Sequence, residues 1–223
     1  MDVQEYENEP GFVGEARWPM AGAVLAAILL TFLLPADVRI FPAWVLPSIE
    51  GLLLVALVAG DPGEISRRSR QLRWLSIVLV ALLLLASLLS TILLVASLIQ
   101  GGDKLDTADS LLAAGAVVWG SNVLAFSLLF WELDCGGAAE RAHRMPPHPD
   151  FAFVQQINPD LAPPGWRPRF VDYLYLSITN SIALSPTDTM PMSPWAKCAM
   201  AAQSIISLMI IGLVIARAVN VLN

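Results

Sequence analysis

Residues 170–222 read FVDYLYLSITNSIALSPTDTMPMSPWAKCAMAAQSIISLMIIGLVIARAVNVL. A short apolar segment with several polar residues, 170–185, is followed by a Pro-rich turn and then by a long apolar run from Lys197 to Leu222. As helices, the first segment would be only ~24 Å long, whereas the second is long enough to cross the ~30 Å hydrocarbon core of a bilayer. This stretch therefore predicts a membrane hairpin at the end of the chain.

The composition of the whole chain is that of a membrane protein. Of its 223 residues, 56% are hydrophobic and 14% are charged, against about 25% charged in a typical soluble domain. The net charge of -6 gives no indication of nucleic-acid binding. The acidic first 17 residues lack the positive start of a cleaved signal peptide. Two cysteines, Cys135 and Cys198, do not make a disulfide framework.

Four further apolar runs precede the hairpin. They cover Trp18–Leu34, Phe41–Ala59, Trp74–Ile99 and Leu111–Trp131, and each is close to or above the length that spans a bilayer. We therefore predict an all-α membrane protein with about six transmembrane segments, of which five are full spans and one is a short or re-entrant helix. Its predicted parts are an acidic N-terminal tail (1–17), a four-helix transmembrane region (18–132), a Pro-rich loop (133–169) and a channel-like helix hairpin (170–223).

The distribution of arginine and lysine predicts the orientation, because cytoplasmic loops are enriched in these residues. With six crossings and both termini in the cytoplasm, ten of the 13 basic residues lie inside. The three outside are Arg39, Lys104 and Lys197. The count thus predicts a multi-pass protein of the bacterial cytoplasmic membrane with cytoplasmic N- and C-termini, in which residues 170–185 cross. A re-entrant segment would instead place the C-terminus outside.

The hairpin resembles the pore-helix and inner-helix module of two-span potassium channels. Tyr173–Ile182 stands at the position of the pore helix, and Pro191, Trp195 and Lys197 match the proline and the Trp-x-basic start of the inner helix. Residues 183–188, Ala-Leu-Ser-Pro-Thr-Asp, stand where those channels carry a Gly-rich filter whose backbone carbonyls hold the ion. The resemblance implies a channel-like homo-oligomer. Without the filter glycines, we expect any cation path to be wider and lined by hydroxyl groups and the acid of this turn.

A second resemblance covers nearly the full length. The chain is similar to a bacterial family of predicted integral membrane proteins without an established activity. Members share two spans, an Arg-rich loop, two more spans and a Pro-rich loop, and the matching motifs here are Asp172–Ser177 and Ser185–Asp188. This resemblance implies a membrane protein with a channel-like end.

The polar residues of the hairpin are the first candidates for function. Ser177, Ser181 and Ser185 recur every four residues and so share one helix face, flanked by Asn180. Such a stripe either lines an ion path or lets membrane helices approach closely and hydrogen-bond. Because it cannot face lipid, we predict that this segment is central. The candidate pore or hairpin residues are Asp172, Tyr175, Ser177, Asn180, Ser181, Ser185 and Asp188.

Glu50 is the one acid well inside an apolar run. A carboxyl group in a membrane span is costly and is by default a functional candidate, here as a protonated group, an ion-pair partner or part of a proton or cation route. Alternatively, Pro42 and Pro47 delay the start of the helix and leave Glu50 near the interface. Asn122 of the fourth span is a candidate hydrogen-bond partner.

No residue pattern in the sequence indicates catalysis, a cofactor or a metal site. The spacing of Cys135, His143 and His148 does not suit zinc. We therefore expect a protein that is not an enzyme, and two functions stay open. The first is a membrane protein that passes a monovalent cation or a proton. The second is a non-conducting membrane scaffold or regulatory protein with a channel-derived fold.

Overall fold

Helices dominate the fold. The computed structural model describes residues 14–39, 41–65, 68–100, 107–143, 145–185 and 188–222. Their helices are α1 (Trp18–Leu33), α2 (Val45–Gly60), α3 (Arg70–Gln100), α4 (Ala108–Leu133), α5 (Ala138–His143), α6 (Val154–Ile157), α7 (Phe170–Ala183) and α8 (Pro194–Leu222). Four two-residue strands form two antiparallel pairs, β1 (Glu15–Ala16) with β2 (Glu64–Ile65) and β3 (Phe151–Ala152) with β4 (Met190–Pro191).

The helical architecture predicted from the sequence is confirmed. Among the described residues, three helices are long and apolar enough to cross a membrane, over Arg70–Ile99, Ala108–Gly136 and Pro194–Val221. Two shorter apolar helices, Trp18–Leu33 and Val45–Gly60, accompany them. Local chemistry sets some of the boundaries. Thr107 Oγ1 accepts the Ser110 N–H at 3.2 Å at the start of α4, as an N-cap hydroxyl does.

The two ends of the helix bundle differ in chemistry. The arginine end holds the β1–β2 pair, the end of α4, α5 and the described part of the loop before α7, with buried Arg17 and Arg141. The far end holds a separate hydrophobic cluster that includes Leu34, Leu98 and Val214. Arg67, Arg144 and Lys104, which entered the charge count, lie outside the described residues.

Both helices of the hairpin begin at the arginine end. The Phe151 ring lies 6.4 Å from the ring of Tyr173, near the start of α7, and 5.5 Å from that of Trp195, at the start of α8. Strand β4 pairs with β3 at the same place. The chain has therefore returned to the arginine end before α8 starts.

Helix α7 does not reach the far end. Its 14 residues cover ~21 Å, and Leu184, with a φ of 56°, ends it. Helix α8 runs the length of the bundle beside α4, where Val214 packs so closely on Gly115 that a Cβ there would meet it at 2.8 Å. The chain path thus differs from the predicted crossing of residues 170–185. The start of α1 and the end of α8 lie at opposite ends of the bundle.

The segment predicted as a Pro-rich loop, 133–169, is a folded cap on the arginine end. Its described residues include α5, α6, β3 and 3-10 turns at Asp134–Gly136 and Pro159–Leu161. Arg141 of α5 is only 2% exposed. Its Nη1 donates to the carbonyl oxygens of Trp131 at 2.8 Å and Asp134 at 2.7 Å, and its guanidinium lies 5.0 Å from the centre of the Tyr173 ring.

Two buried carboxylates balance this guanidinium. Glu15 lies 3.9 Å from Arg141 Nη2 and accepts the Trp131 Nε1–H at 2.9 Å. Burial raises the pKa of the Glu15 carboxyl, and Arg141 is the largest opposing cause. Asp134 accepts the Asp150 N–H at 3.0 Å and the Tyr173 hydroxyl. The cap is therefore held on the bundle by electrostatic interactions among Arg141, Glu15 and Asp134, which are buried and so little screened by water.

We expect Arg141→Ala to destabilise the fold strongly. Removing one member of a buried charged set leaves the others uncompensated, at a cost of about 3–5 kcal/mol. The matched control is Arg68→Ala, because the Arg68–Glu140 pair at 3.1 Å is about half exposed on both sides and such pairs contribute about 1 kcal/mol or less. Thermal unfolding in detergent, followed by circular dichroism, measures both. Equal losses would contradict the role assigned to Arg141.

Candidate functional site

Two of the three serines of the predicted stripe, Ser177 and Ser181, lie inside the bundle, against α8. Gln203 Nε2 donates to Ser177 Oγ at 2.6 Å and to Ser181 Oγ at 2.9 Å. Asn180 Nδ2 donates to Gln203 Oε1 at 2.9 Å, and Ser204 Oγ donates to Asn180 Oδ1 at 3.1 Å. We call these five residues the central polar cluster. The three α7 members and Gln203 are at most 1% exposed.

Helix α4 completes the cluster's contacts. Ser177 Oγ donates to the carbonyl oxygen of Val123 at 2.7 Å, and the second Asn180 Nδ2 hydrogen bond goes to the carbonyl oxygen of Met200 at 3.0 Å. The stripe is thus bonded within one subunit to both neighbouring helices. This is the geometry by which polar side chains hold membrane helices together.

The other hairpin candidates are not part of this cluster. Asp172 accepts the Arg169 N–H at 2.7 Å and so caps the start of α7. Tyr175 is 51% exposed on the outer face. Ser185 and Asp188 are exposed in the segment between α7 and β4. Pro186 and Thr187, which occupy the filter position, lie outside the described residues.

Glu50 stands in the buried face of α2. Pro47, Glu50, Leu54 and Leu57 are the buried residues of this helix, and their spacing of three and four residues puts them on one side. The helix begins at Val45, later than the predicted run, yet Glu50 is 0% exposed. Within the part of the chain that the structure describes, neither carboxylate oxygen has a hydrogen-bond partner.

A small cavity lies against Glu50, and we call it the Glu50 cavity. Its volume is about 40 Å³, which is room for about three waters. Hydroxyl groups from three helices line it, those of Thr31, Ser87, Ser90 and Ser121. Ser87 Oγ is also buried without a hydrogen-bond partner among the described residues. The outer wall contains Arg39, Phe41 and Pro42, so this cavity belongs to the far half of the bundle.

Asn122, the candidate hydrogen-bond partner of Glu50, does not bond to it. Asn122 is 0% exposed, and neither its amide oxygen nor its amide nitrogen has a partner among the described residues. Ser121, the preceding residue, lines the Glu50 cavity instead. Successive side chains on a helix are turned by ~100° from each other. Ser121 therefore faces the Glu50 cavity and Asn122 does not.

A second cavity opens at the arginine end, and we call it the Glu132 cavity. Its volume is about 310 Å³, and its lining includes Arg17, Asp61, Arg73, Ser76 and Glu132. Glu132 Oε1 lies 3.2 Å from Arg73 Nη1, and Glu132 Oε2 accepts the Ser76 hydroxyl at 2.5 Å. Arg17 pairs with Asp61 at 3.0 Å. These acidic and basic groups come from α3, α4, the residue after α2 and the residue before α1, so they do not form a short sequence motif.

Metal binding finds no support in the described residues. No group of three or more His, Cys, Asp or Glu side chains there is arranged to hold a metal ion. Cys135 donates its thiol hydrogen to Asp134 at 3.2 Å.

Comparison with known proteins gives no relative: no protein-family model, no curated protein and no solved structure matches the chain. The candidate site therefore has to be interpreted from its own geometry.

We expect Gln203→Leu to lower the thermal stability of the protein in detergent. The substitution leaves Ser177, Ser181 and Asn180 with unpaired buried groups, each worth about 1–3 kcal/mol. Gln71→Leu, the same change at an exposed position of α3, is the control and should have little effect. An unchanged melting temperature for Gln203→Leu would show that the central polar cluster does not hold α7 and α8 together.

Proposed function

We propose that this protein is an integral membrane protein that transports a proton or a monovalent cation through the Glu50 cavity, without a potassium-type filter. One observation carries the proposal. Glu50 is fully buried in an apolar helix face, its two oxygens have no hydrogen-bond partner in the described residues, and it lies against a hydroxyl-lined cavity.

The physical argument rests on the cost of that carboxyl group. A polar group buried without a hydrogen bond costs several kcal/mol, and an isolated ionised one costs much more. A proton or a bound cation removes the charge, and the hydroxyl oxygens of Ser87, Ser90 and Ser121 supply the ligands that hard cations prefer. An intramembrane acid with these neighbours is a typical element of a proton or cation route.

The central polar cluster favours a supporting role for α7 and α8. The oxygens of Ser177, Ser181 and Asn180 already accept hydrogen bonds from Gln203 and Ser204 of α8, so coordinating a moving ion would require these bonds to break. We propose that the channel-like hairpin supplies a scaffold for the route and that its serine stripe does not line it.

For the membrane arrangement we propose five crossings, by α1, α2, α3, α4 and α8, with α7 as a re-entrant helix. The arginine end would lie in the cytoplasm. Relative to six crossings, Lys197 moves inside and Arg217 moves outside, so the count of basic residues stays at ten to three. Helices α1 and α2 have 16 residues each, which fits a bilayer that is locally thinned around them.

We further propose a homo-oligomer. Leu184 is 39% exposed, and Ser185 beside it is also exposed, at a depth of ~20 Å from the start of α7. Non-helical backbone at membrane depth is tolerated only inside protein or along a water-filled cavity. A second copy of the chain would cover this segment.

The alternative is a non-conducting scaffold or regulatory protein. The internally bonded central polar cluster favours it, since a static fold needs no unpaired polar groups. Glu50 and Ser87 have no structural role in that alternative, and transport measurements therefore separate the two functions.

We expect Glu50→Gln to reduce transport about tenfold or more in proteoliposomes, because an amide neither releases a proton nor neutralises a cation. A pH-sensitive dye inside the vesicles reports proton movement, and Na⁺ or K⁺ gradients report the cations. Glu64→Gln, at an exposed position of β2, is the control and should transport normally. Absence of flux in the folded wild-type protein for all three ions would favour the non-conducting alternative.

The proposed orientation is tested by thiol labelling. The labelling variants are made in the double variant Cys135→Ser, Cys198→Ser. Both native cysteines lie toward the arginine end and would otherwise react with the reagent. In intact cells, a membrane-impermeant reagent should label Asn220→Cys, at the exposed end of α8. It should label Glu64→Cys only after the membrane is permeabilised. Labelling of both variants from the same side would contradict five crossings.

A further inference from the structure

Three neighbouring helices repeat one pattern of polar and apolar residues. The polar pairs are Glu50 on α2 with Asp61 directly after its end, Ser76 and Ser87 on α3, and Ser121 and Glu132 on α4. The members of each pair are 11 residues apart, which in a helix is about three turns or ~16 Å. The pairs on α3 and α4 therefore each lie on one side of their helix. The upper members, Glu50, Ser87 and Ser121, line the Glu50 cavity, and the lower members line the Glu132 cavity.

A layer of buried apolar side chains separates the two cavities. Leu54 of α2, Leu79 and Val80 of α3 and Leu128 of α4 are at most 6% exposed and belong to one hydrophobic cluster. None of these four side chains is in the lining of either cavity. We call them the leucine plug.

The plug has nearly the same thickness on all three helices. The nearest lining residues of the two cavities are Glu50 and Leu57 on α2, Ser76 and Leu83 on α3, and Ala125 and Trp131 on α4. They are six or seven residues apart, or ~9–10 Å. A proton passes directly only over hydrogen-bond distances of ~3 Å, so the plug closes the path in this conformation.

We propose that α2, α3 and α4 form one gated transport route within each subunit, with Glu132 as its second carboxylate and the leucine plug as its gate. This inference rests on the proposed function, which assigned only Glu50. The proton or cation would enter from the far end, bind at Glu50, cross the plug when it becomes wetted or when the helices shift, and leave by Glu132. Hydrophobic constrictions that open by wetting are an established way of gating.

The charges around each carboxylate fit transport from the Glu50 cavity to the Glu132 cavity. Arg39 is the charged residue besides Glu50 in the Glu50 cavity. Glu132 faces Arg73 and the Ser76 hydroxyl, and its cavity also contains the Arg17–Asp61 pair and the Arg68–Glu140 pair. Glu132 therefore has a guanidinium partner when its proton or cation has left, whereas Glu50 has no such partner among the described residues.

The structural alternative is that the plug is ordinary core packing between two unrelated cavities. Core packing explains the leucines, but it does not explain why the polar residues of α3 and α4 return at the same 11-residue interval. It also leaves Glu50 and Ser87 Oγ, both buried, without partners. Access and leak measurements distinguish the alternatives.

The first test is cysteine accessibility in the Cys135→Ser, Cys198→Ser background. A small impermeant thiol reagent applied to vesicles of known orientation should reach Ser76→Cys from the arginine end and Ser87→Cys from the far end. Leu79→Cys should be labelled from neither side at a comparable rate. Labelling of Ser76→Cys and Ser87→Cys from the same side, or protection of both from either side, would overturn the route.

The second test looks for an increase in transport, because loss of the folded state would reduce specific transport and so could not be mistaken for the expected result. Leu79→Ser places a hydroxyl in the plug and should raise passive flux about tenfold, since a polar group lowers the cost of wetting an apolar constriction. Leu94→Ser is the matched control, because Leu94 is on the same helix, is equally buried and belongs to the far-end cluster. Glu132→Gln should reduce flux in the wild-type background, and Glu64→Gln should not.

The outcomes separate this inference from the function on which it rests. The proposed function would stand and the gated route would be refuted by the following result. Glu50→Gln loses flux, Glu132→Gln keeps the wild-type flux, and Leu79→Ser has the same flux as Leu94→Ser. Absence of flux in the wild-type protein and in Leu79→Ser would refute both.

Discussion

The carboxylate of Asp134, at the end of α4, fixes the path of the last third of the chain. It accepts backbone N–H groups of Asp150 and Phe151 and the hydroxyl of Tyr173 on α7. Asp150 in turn accepts the Trp195 Nε1–H at 2.8 Å at the start of α8. One buried group thereby brings the ends of three segments to one place. Since α7 and α8 both start there, α7 can only enter the bundle and turn back.

This constraint explains where prediction from the sequence succeeds and where it stops. The helical segments follow from apolar length, because a span has no alternative way to satisfy its backbone. The turn-back of α7 does not, because it depends on a two-residue strand pair and on side chains more than 15 residues apart. The count of basic residues does not detect this turn-back either, because Lys197 and Arg217 exchange sides without changing the number on each side.

The candidate site was also only partly predictable from the sequence. Glu50 is recognisable there as an acid inside an apolar run, and the structure places it in the buried face of α2. Its neighbours could not be named beforehand, because serines are common in membrane helices and Ser87 and Ser121 acquire meaning only when α2, α3 and α4 are known to be adjacent. The same holds for Gln203, whose amide completes the serine stripe of α7.

Hydrogen-bond satisfaction divides the buried polar groups of this bundle into two kinds. The central polar cluster is of the first kind, because its side chains are bonded to one another and to the backbone of α4 and α8. Glu50, Ser87, Asn122 and Ser207 are of the second kind, since none has a side-chain hydrogen bond in the described part of the chain. Among them Glu50 is the acid, and a leucine at position 50 would continue the apolar face of α2 at no such cost. In hydrocarbon, an unpaired group of this kind is a source of instability unless something mobile occupies the space beside it. The Glu50 cavity has room for a proton carrier such as water or for a small cation, and for this reason the unpaired groups beside it, more than the paired stripe first suggested by the sequence, are where the proposed transport would occur.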